Sequence, residues 1–188
     1  MNVQVFRYDG PMATSSSPSP AAPAAPTPET ARWLSEYEQS TWRSFLGMQR
    51  LIRDTLERQL QRDATMPMTY YIILAMLSEA PQRTLRMSEL ALIAGTSQSQ
   101  LSHAASRLEE SGWIERRRCE DDKRGYLATL TDVGFEVLTR AAPSHVESVR
   151  SVLFDAISPE QVDQLCAISD AVLAHSGADT PPMRFVSG

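Results

Sequence analysis

Residues 87–125 read MSELALIAGTSQSQLSHAASRLEESGWIERRRCEDDKRG, and the way this stretch divides decides the fold. Met87–Ala94 reads as a short helix, with Ser88 and Glu89 near its positive end. Gly95 supplies a left-handed residue to stop it. Ser97 and Gln100 then stand at the spacing of a capping box, in which each side chain satisfies the other's orphan amide. Behind them Leu101, Ala104, Ala105 and Leu108 make a narrow apolar stripe, so a second helix follows almost at once. Two short helices around a Gly-containing turn fit a helix-turn-helix. After Gly112 the period becomes extended. Trp113–Cys119 and Tyr126–Thr131 read as strands joined by the polar loop EDDKRG, a β-hairpin with a charged tip.

Outward from this centre the chain is helical. A helix is expected from about Thr69 to Ser78. Before it, Leu34, Tyr37, Trp42, Phe45, Met48, Ile52, Leu56 and Leu60 recur at three-to-four spacing, which predicts one helix over Thr30–Arg62. Such a helix would span ~50 Å at the usual rise, longer than the roughly 35–40 Å breadth of a compact unit of this size. Part of its stripe therefore packs on another chain, or the helix bends at Gly47. After the hairpin, Thr131 and Asp132 cap a helix bearing Phe135, Leu138 and Ala142, and Pro143 calls for a kink or restart. Apolar residues resume at Val146, Val149, Leu153 and Ile157. Ser158-Pro159-Glu160 opens a last helix expected to bury Val162, Leu165, Ile168 and Val172.

The boundaries that follow are an Ala/Pro/Ser-rich disordered tail over 1–29, an N-terminal dimerisation helix over 30–66 and a winged helix-turn-helix over 67–131. C-terminal helices over 132–176, to which the family resemblance described below assigns dimerisation, and a flexible tail over 177–188 complete the chain. The fold class is mainly α, with a small β-hairpin wing.

Composition narrows the function. Of 188 residues, 42% are apolar and 22% charged, the make-up of a globular protein. The longest apolar run, Tyr70–Leu77, is far short of a bilayer span, and no secretory signal opens the chain, so a cytoplasmic protein without membrane contact is expected. No GxSxG elbow, HExxH, CxxC, phosphate loop or dinucleotide fingerprint occurs, and His103, His145 and His175 lie in separate elements. Neither an enzyme nor a metal or other cofactor is expected. The net charge of −5 argues against a nucleic-acid partner until it is mapped along the chain. Residues 127–188 carry 3 basic and 8 acidic side chains, while residues 86–126 carry 7 of each. Binding depends on where cations cluster, not on the total.

The second helix of the pair carries Ser99, His103 and Ser106 opposite its apolar stripe, flanked by Gln98, Gln100, Ser102 and Arg107. No acid occurs from Thr96 to Leu108, whereas a merely solvated helix is rich in Glu and Lys. Short or planar polar groups of this kind exchange hydrogen bonds with base edges and phosphates. The hairpin adds Arg116, Arg117, Arg118, Lys123 and Arg124, with alternation placing Arg116 and Arg118 on one face. Cations at the turn reach a phosphate or a narrow minor groove. Arg86, Ser97 and Gly125 complete the candidate DNA-contacting set.

The segments RMSELA, TSQSQLSHAASRLEESGWIERRRCEDDKRG and LTDVG together closely resemble the multiple-antibiotic-resistance regulator (MarR) family of bacterial transcription factors. The resemblance covers roughly residues 30–175, and its most specific part is the D-x-R-G wing, Asp122 to Gly125. It implies a homodimer that interleaves its terminal helices, binds palindromic double-stranded DNA operators and holds a small-molecule pocket between its dimerisation and DNA-binding parts. It further implies Ser97, Gln98, Ser99, Ser102 and His103 in the major groove, Arg124 in the minor groove, and Asp122 supporting a neighbouring arginine. The expected function is repression relieved by an effector. Trp33, Tyr37, Trp42 and Phe45 would line a pocket for an aromatic or phenolic effector, or else form core or dimer interface. Arg50, Arg53 and His145 would neutralise an acidic one. The alternatives are a redox-responsive regulator using Cys119, a winged-helix adaptor for proteins, and a ligand-independent architectural protein. Cys166 reads as core.

Overall fold

The computed structural model describes residues 31–119 and 125–175. The expected tails, 1–29 and 177–188, lie outside them. In chain order the elements are α1 (Glu36–Ala64), α2 (Met68–Glu79), β1 (Thr84–Arg86), α3 (Met87–Ile93) and α4 (Gln98–Glu110). After these come β2 (Ile114–Arg118), β3 (Tyr126–Leu130), α5 (Asp132–Val152) and α6 (Pro159–His175). The three strands form one antiparallel sheet in the order β1-β3-β2. Leu85 stands opposite Ala128, and Arg116 stands opposite Ala128 from the other side. The third strand, TLR, is too short to show a period and was not foreseen.

Residues 31–41 hold the start of α1, which begins at Glu36 rather than Thr30. Ser35 and Glu38 set that boundary by capping each other: the Glu38 N–H donates to Ser35 Oγ (3.2 Å) and the Ser35 N–H to Glu38 Oε2 (2.7 Å). These bonds hold the Glu38 carboxyl below its usual range.

From residue 42 onward the core gathers around α2. Ile73, Leu74 and Leu77 are fully buried against Leu60 of α1, Leu90 of α3, Leu101, Ala105 and Leu108 of α4, and Ala128 of β3. The α4 stripe thus faces inward as its spacing requires. Gly95 takes φ +60° and closes α3, and Gly112 takes φ +71° at the end of α4. Glu57 of α1 accepts the first free N–H of α2, that of Met68, at 3.1 Å.

α5 runs through Pro143 without restarting. The proline removes one helical N–H, and Ala141 and His145 on either side of it are both buried. One expectation about the C-terminal part is corrected. α6 buries nothing. Val162 and Leu165 are half-buried, Ile168 and Val172 are 63% and 64% exposed, and Cys166 is exposed rather than core. Among the described residues nothing covers that face. The same holds along α1, where Trp42, Phe45, Leu46 and Leu51 are exposed while Leu56 and Leu60 are buried.

A buried polar cluster ties α1 to α5. Gln59, 2% exposed, donates from Nε2 to Asp63 Oδ2 and to Ser144 Oγ, both at 3.0 Å. Its Oε1 is left to accept from His145 Nδ1 at 3.1 Å, which fixes the imidazole tautomer. The His145 ring lies 4.1 Å from that of Tyr71. Burial pushes the His145 pKa below its ordinary 6.5. The unfolded chain therefore binds a proton near pH 6.5 that the folded chain refuses. This contribution to stability is full above about pH 6.5 and is lost as pH falls through the lower folded value. His145→Gln should flatten the pH dependence of the melting temperature below about pH 6.5. An unaltered profile would remove His145 as its source.

Candidate nucleic-acid interface

α4 is presented by its own N-cap. The Gln100 N–H donates to Ser97 Oγ (3.2 Å), and the Ser97 N–H donates to Gln100 Oε1 (3.2 Å), which also accepts from Thr96 Oγ1 (3.0 Å). Ser97 and Gln100 thus spend their side-chain oxygens on starting the helix. Gln98, Ser99, Ser102, His103 and Arg107 are all exposed along it. They divide between two sides. Gln98 and Ser102 face the sheet across an open cleft of about 590 Å³, joined there by Arg86, Ser88, Glu109 and Arg116. Gln100, His103 and Arg107 face a second depression on the α2 side, beside Tyr70.

The cations are placed unequally. The Arg86 N–H donates to Glu89 Oε2 (3.1 Å) at the start of α3. Arg107 pairs with Glu110 at 3.0 Å while both stay solvated, a contact of small energetic weight. Arg117 and Arg118 are exposed on β2, and the Arg118 guanidinium lies 5.7 Å from the Tyr126 ring centre. Arg116 behaves otherwise. Its side chain is 23% exposed and turned onto Glu109, so the expected shared face with Arg118 is not a shared role. Glu109 carries no signal in the sequence that separates it from Glu110. Only folding β2 back along α4 reveals its partner.

Asp122, Lys123 and Arg124, the expected wing tip and its support, lie outside the described residues. The hairpin closes just inside them, where the Cys119 N–H donates to the Gly125 carbonyl at 2.9 Å. Cys119 is buried.

The wing joins α5 through a tight contact. Thr131 Oγ1 shares its proton between the carbonyls of Gly112 (2.7 Å) and Trp113 (3.0 Å) and accepts the Gly134 N–H (3.0 Å). On the β1 side, Gln82 and Arg83 both take positive φ, an uncommon pair for residues with side chains. That turn delivers the Arg83 guanidinium to Asp132 (3.1 Å) and over the Phe135 ring (4.0 Å).

The aromatic residues assigned to an effector are all exposed in the single chain. Trp33 and Tyr37 are 70% and 82% exposed. Trp42 and Phe45 stack on each other at 5.9 Å and are also exposed. Among the described residues no three metal-ligating side chains meet, and no helix is long and apolar enough to cross a membrane.

A model of the MarR family matches residues 64–125, which run from the end of α1 to the wing. The chain is 50% identical to Sco3205 of Streptomyces coelicolor, described as a MarR family transcriptional regulator and solved in complex with DNA. That likeness covers 80% of this chain and 96% of the other, with a TM-score of 0.74. AbsC, a MarR family regulator of the same organism, is 39% identical over 77% of this chain and 97% of its own, with a TM-score of 0.72. The transcriptional repressor MprA of Escherichia coli is 31% identical over 106 residues, 56% of this chain, and the match spans 60% of that relative's length. With a half-identical relative matched almost end to end, and a helix-turn-helix and wing built from the motifs quoted above, the chain belongs to the MarR family of transcriptional regulators.

Proposed function

We propose that this chain is a homodimeric, DNA-binding repressor that reads a palindromic operator through α4 and the wing and is released by a small-molecule effector. The observation that carries this reading is the acid-free helix face of Gln98, Ser99, Ser102, His103 and Arg107, all exposed, with Gln98 and Ser102 set across an open cleft from an arginine-bearing hairpin. A major groove takes a helix of that kind, and a hairpin beside it reaches the flanking backbone. The half-identical relative solved with DNA supports the partner, and the name of the Escherichia coli relative supports repression. The uncovered apolar faces of α1 and α6 support a second subunit. An effector binding at Trp42 and Phe45 would meet them in that dimer rather than in one chain.

A two-fold dimer places its half-sites about 10–10.5 bp apart. Fluorescence anisotropy against a duplex from upstream of the gene, across a salt series, tests the reading. Arg124→Ala should weaken binding at least about tenfold and reduce the magnitude of the salt slope by about 0.9, the loss of one phosphate contact. His103→Ala should lower the preference for operator over shuffled DNA, since a base contact is worth about 1–3 kcal/mol of discrimination. A wild-type protein that ignores duplex DNA at low ionic strength overturns the proposal.

A further inference from the structure

Arg116 looks like a phosphate ligand in the sequence, in the middle of an arginine run on the wing. Its geometry assigns it elsewhere. β2 is an outer strand, and the Arg116 N–H turns away from β3 to donate to Glu109 Oε1 at 3.0 Å. Its Nε donates to Glu109 Oε2 at 2.9 Å, and its Nη2 donates both to that same oxygen and to Ser106 Oγ, the latter at 3.2 Å. Ser106 Oγ in turn donates to the Ser102 carbonyl at 3.0 Å, within α4. One residue of the wing thus places three N–H groups on a single carboxylate in the last turn of α4. Charge-assisted, bidentate contacts of this sort are the strong, direction-setting ones. They also satisfy a backbone donor that an outer strand would otherwise leave open. The hydrogen bonds from Arg116 hold the Glu109 carboxyl below its usual range.

We propose that Arg116 and Glu109 are positioning residues that fix the wing at its distance from α4, so that Arg116 supports operator discrimination without itself touching phosphate. The proposal rests on the DNA-binding reading above. It opposes simple electrostatics in sign: removing the Glu109 charge beside DNA would strengthen binding to any duplex if field alone mattered, whereas a loosened wing weakens specific binding.

The test compares wild type, Glu109→Gln and Arg116→Met on the tightest duplex from a random-sequence selection and on a shuffled version of it, across salt. The expected result is a fall of about tenfold in the selected-to-shuffled affinity ratio for both variants, with a salt slope unchanged for Arg116→Met. A slope smaller by about 0.9 makes Arg116 a phosphate contact and overturns the proposal. So does Glu109→Gln binding both duplexes more tightly. Amide hydrogen exchange decides the clamp without DNA: in Glu109→Ala the Arg116 amide should exchange at least about tenfold faster, and unchanged protection refutes the clamp. Wild-type protein that cannot separate the two duplexes refutes the DNA reading instead, while exchange still reports on the pair.

Discussion

Among Gly47, Gly95, Gly112 and Gly134, replacement by alanine should be most damaging at Gly134. A Cβ built there lies 2.1 Å from the Trp113 carbonyl oxygen, 2.8 Å from Leu130 Cδ1 and 2.9 Å from the Trp113 carbonyl carbon. Two of these three neighbours are backbone, and that backbone has nowhere to go. The Trp113 carbonyl accepts from both the N–H and the hydroxyl of Thr131, at 3.0 Å each, and the same hydroxyl caps α5. Moving either side of the contact breaks the cap that joins wing to helix. Overpacking of this kind costs about 3 kcal/mol. For a chain of this length that lowers the melting temperature by roughly 6–12 °C. Gly47→Ala is the control, since a Cβ at this helical, exposed position meets nothing within 4 Å. It should raise stability by about 0.5–1 kcal/mol through the unfolded chain and helix propensity. Equal melting temperatures for Gly134→Ala and wild type would remove the joint between β2 and α5 from the account of stability.

That contact marks where the sequence stops being legible. The capping box at Ser97 and Gln100, the stop at Gly95 and the inward stripe of α4 are local, set by residues within a turn of one another, and each was read from spacing alone. The strands β2 and β3 carried enough residues to show a change of period, whereas the three residues of β1 did not. Partners far apart in the chain left no trace. Gln59 meets Ser144 and His145 across more than eighty residues. Glu109 and Arg116 are only seven apart, but Glu109 is indistinguishable from Glu110 until β2 folds back beside α4. For the same reason Arg116 read as a free cation, although most of its donors are engaged. The error over α6 has another origin. Periodicity says that a face is apolar, not which molecule buries it. Val162, Leu165, Ile168 and Val172 do form a stripe, but among the described residues no element lies on the part that holds Ile168 and Val172.

Introducing charge on that stripe gives the second large effect. Ile168→Asp combined with Val172→Asp alters two side chains that are more than three-fifths exposed in the single chain. A monomer would tolerate both, because surface substitutions away from special features change stability by about 0.5 kcal/mol or less. In the proposed dimer the outcome reverses. Each apolar side chain covered by a partner contributes roughly 1.5–3 kcal/mol, and two-fold symmetry makes every substitution count twice. An unpaired carboxylate buried in such a seam adds a further desolvation cost of several kcal/mol. Dimer dissociation should therefore strengthen by a factor of about 10³ or more. Sedimentation velocity at micromolar concentration should show wild type near twice the mass of the variant. Circular dichroism of the variant should keep most of its helical signal, because the core around Ile73, Leu74 and Leu77 does not involve α6. Operator affinity should fall with the dimer, since a single α4 and wing read one half-site only. A variant that sediments as wild type would show that α6 is not the dimer seam. One that is monomeric yet binds a palindrome undiminished would separate DNA recognition from dimerisation.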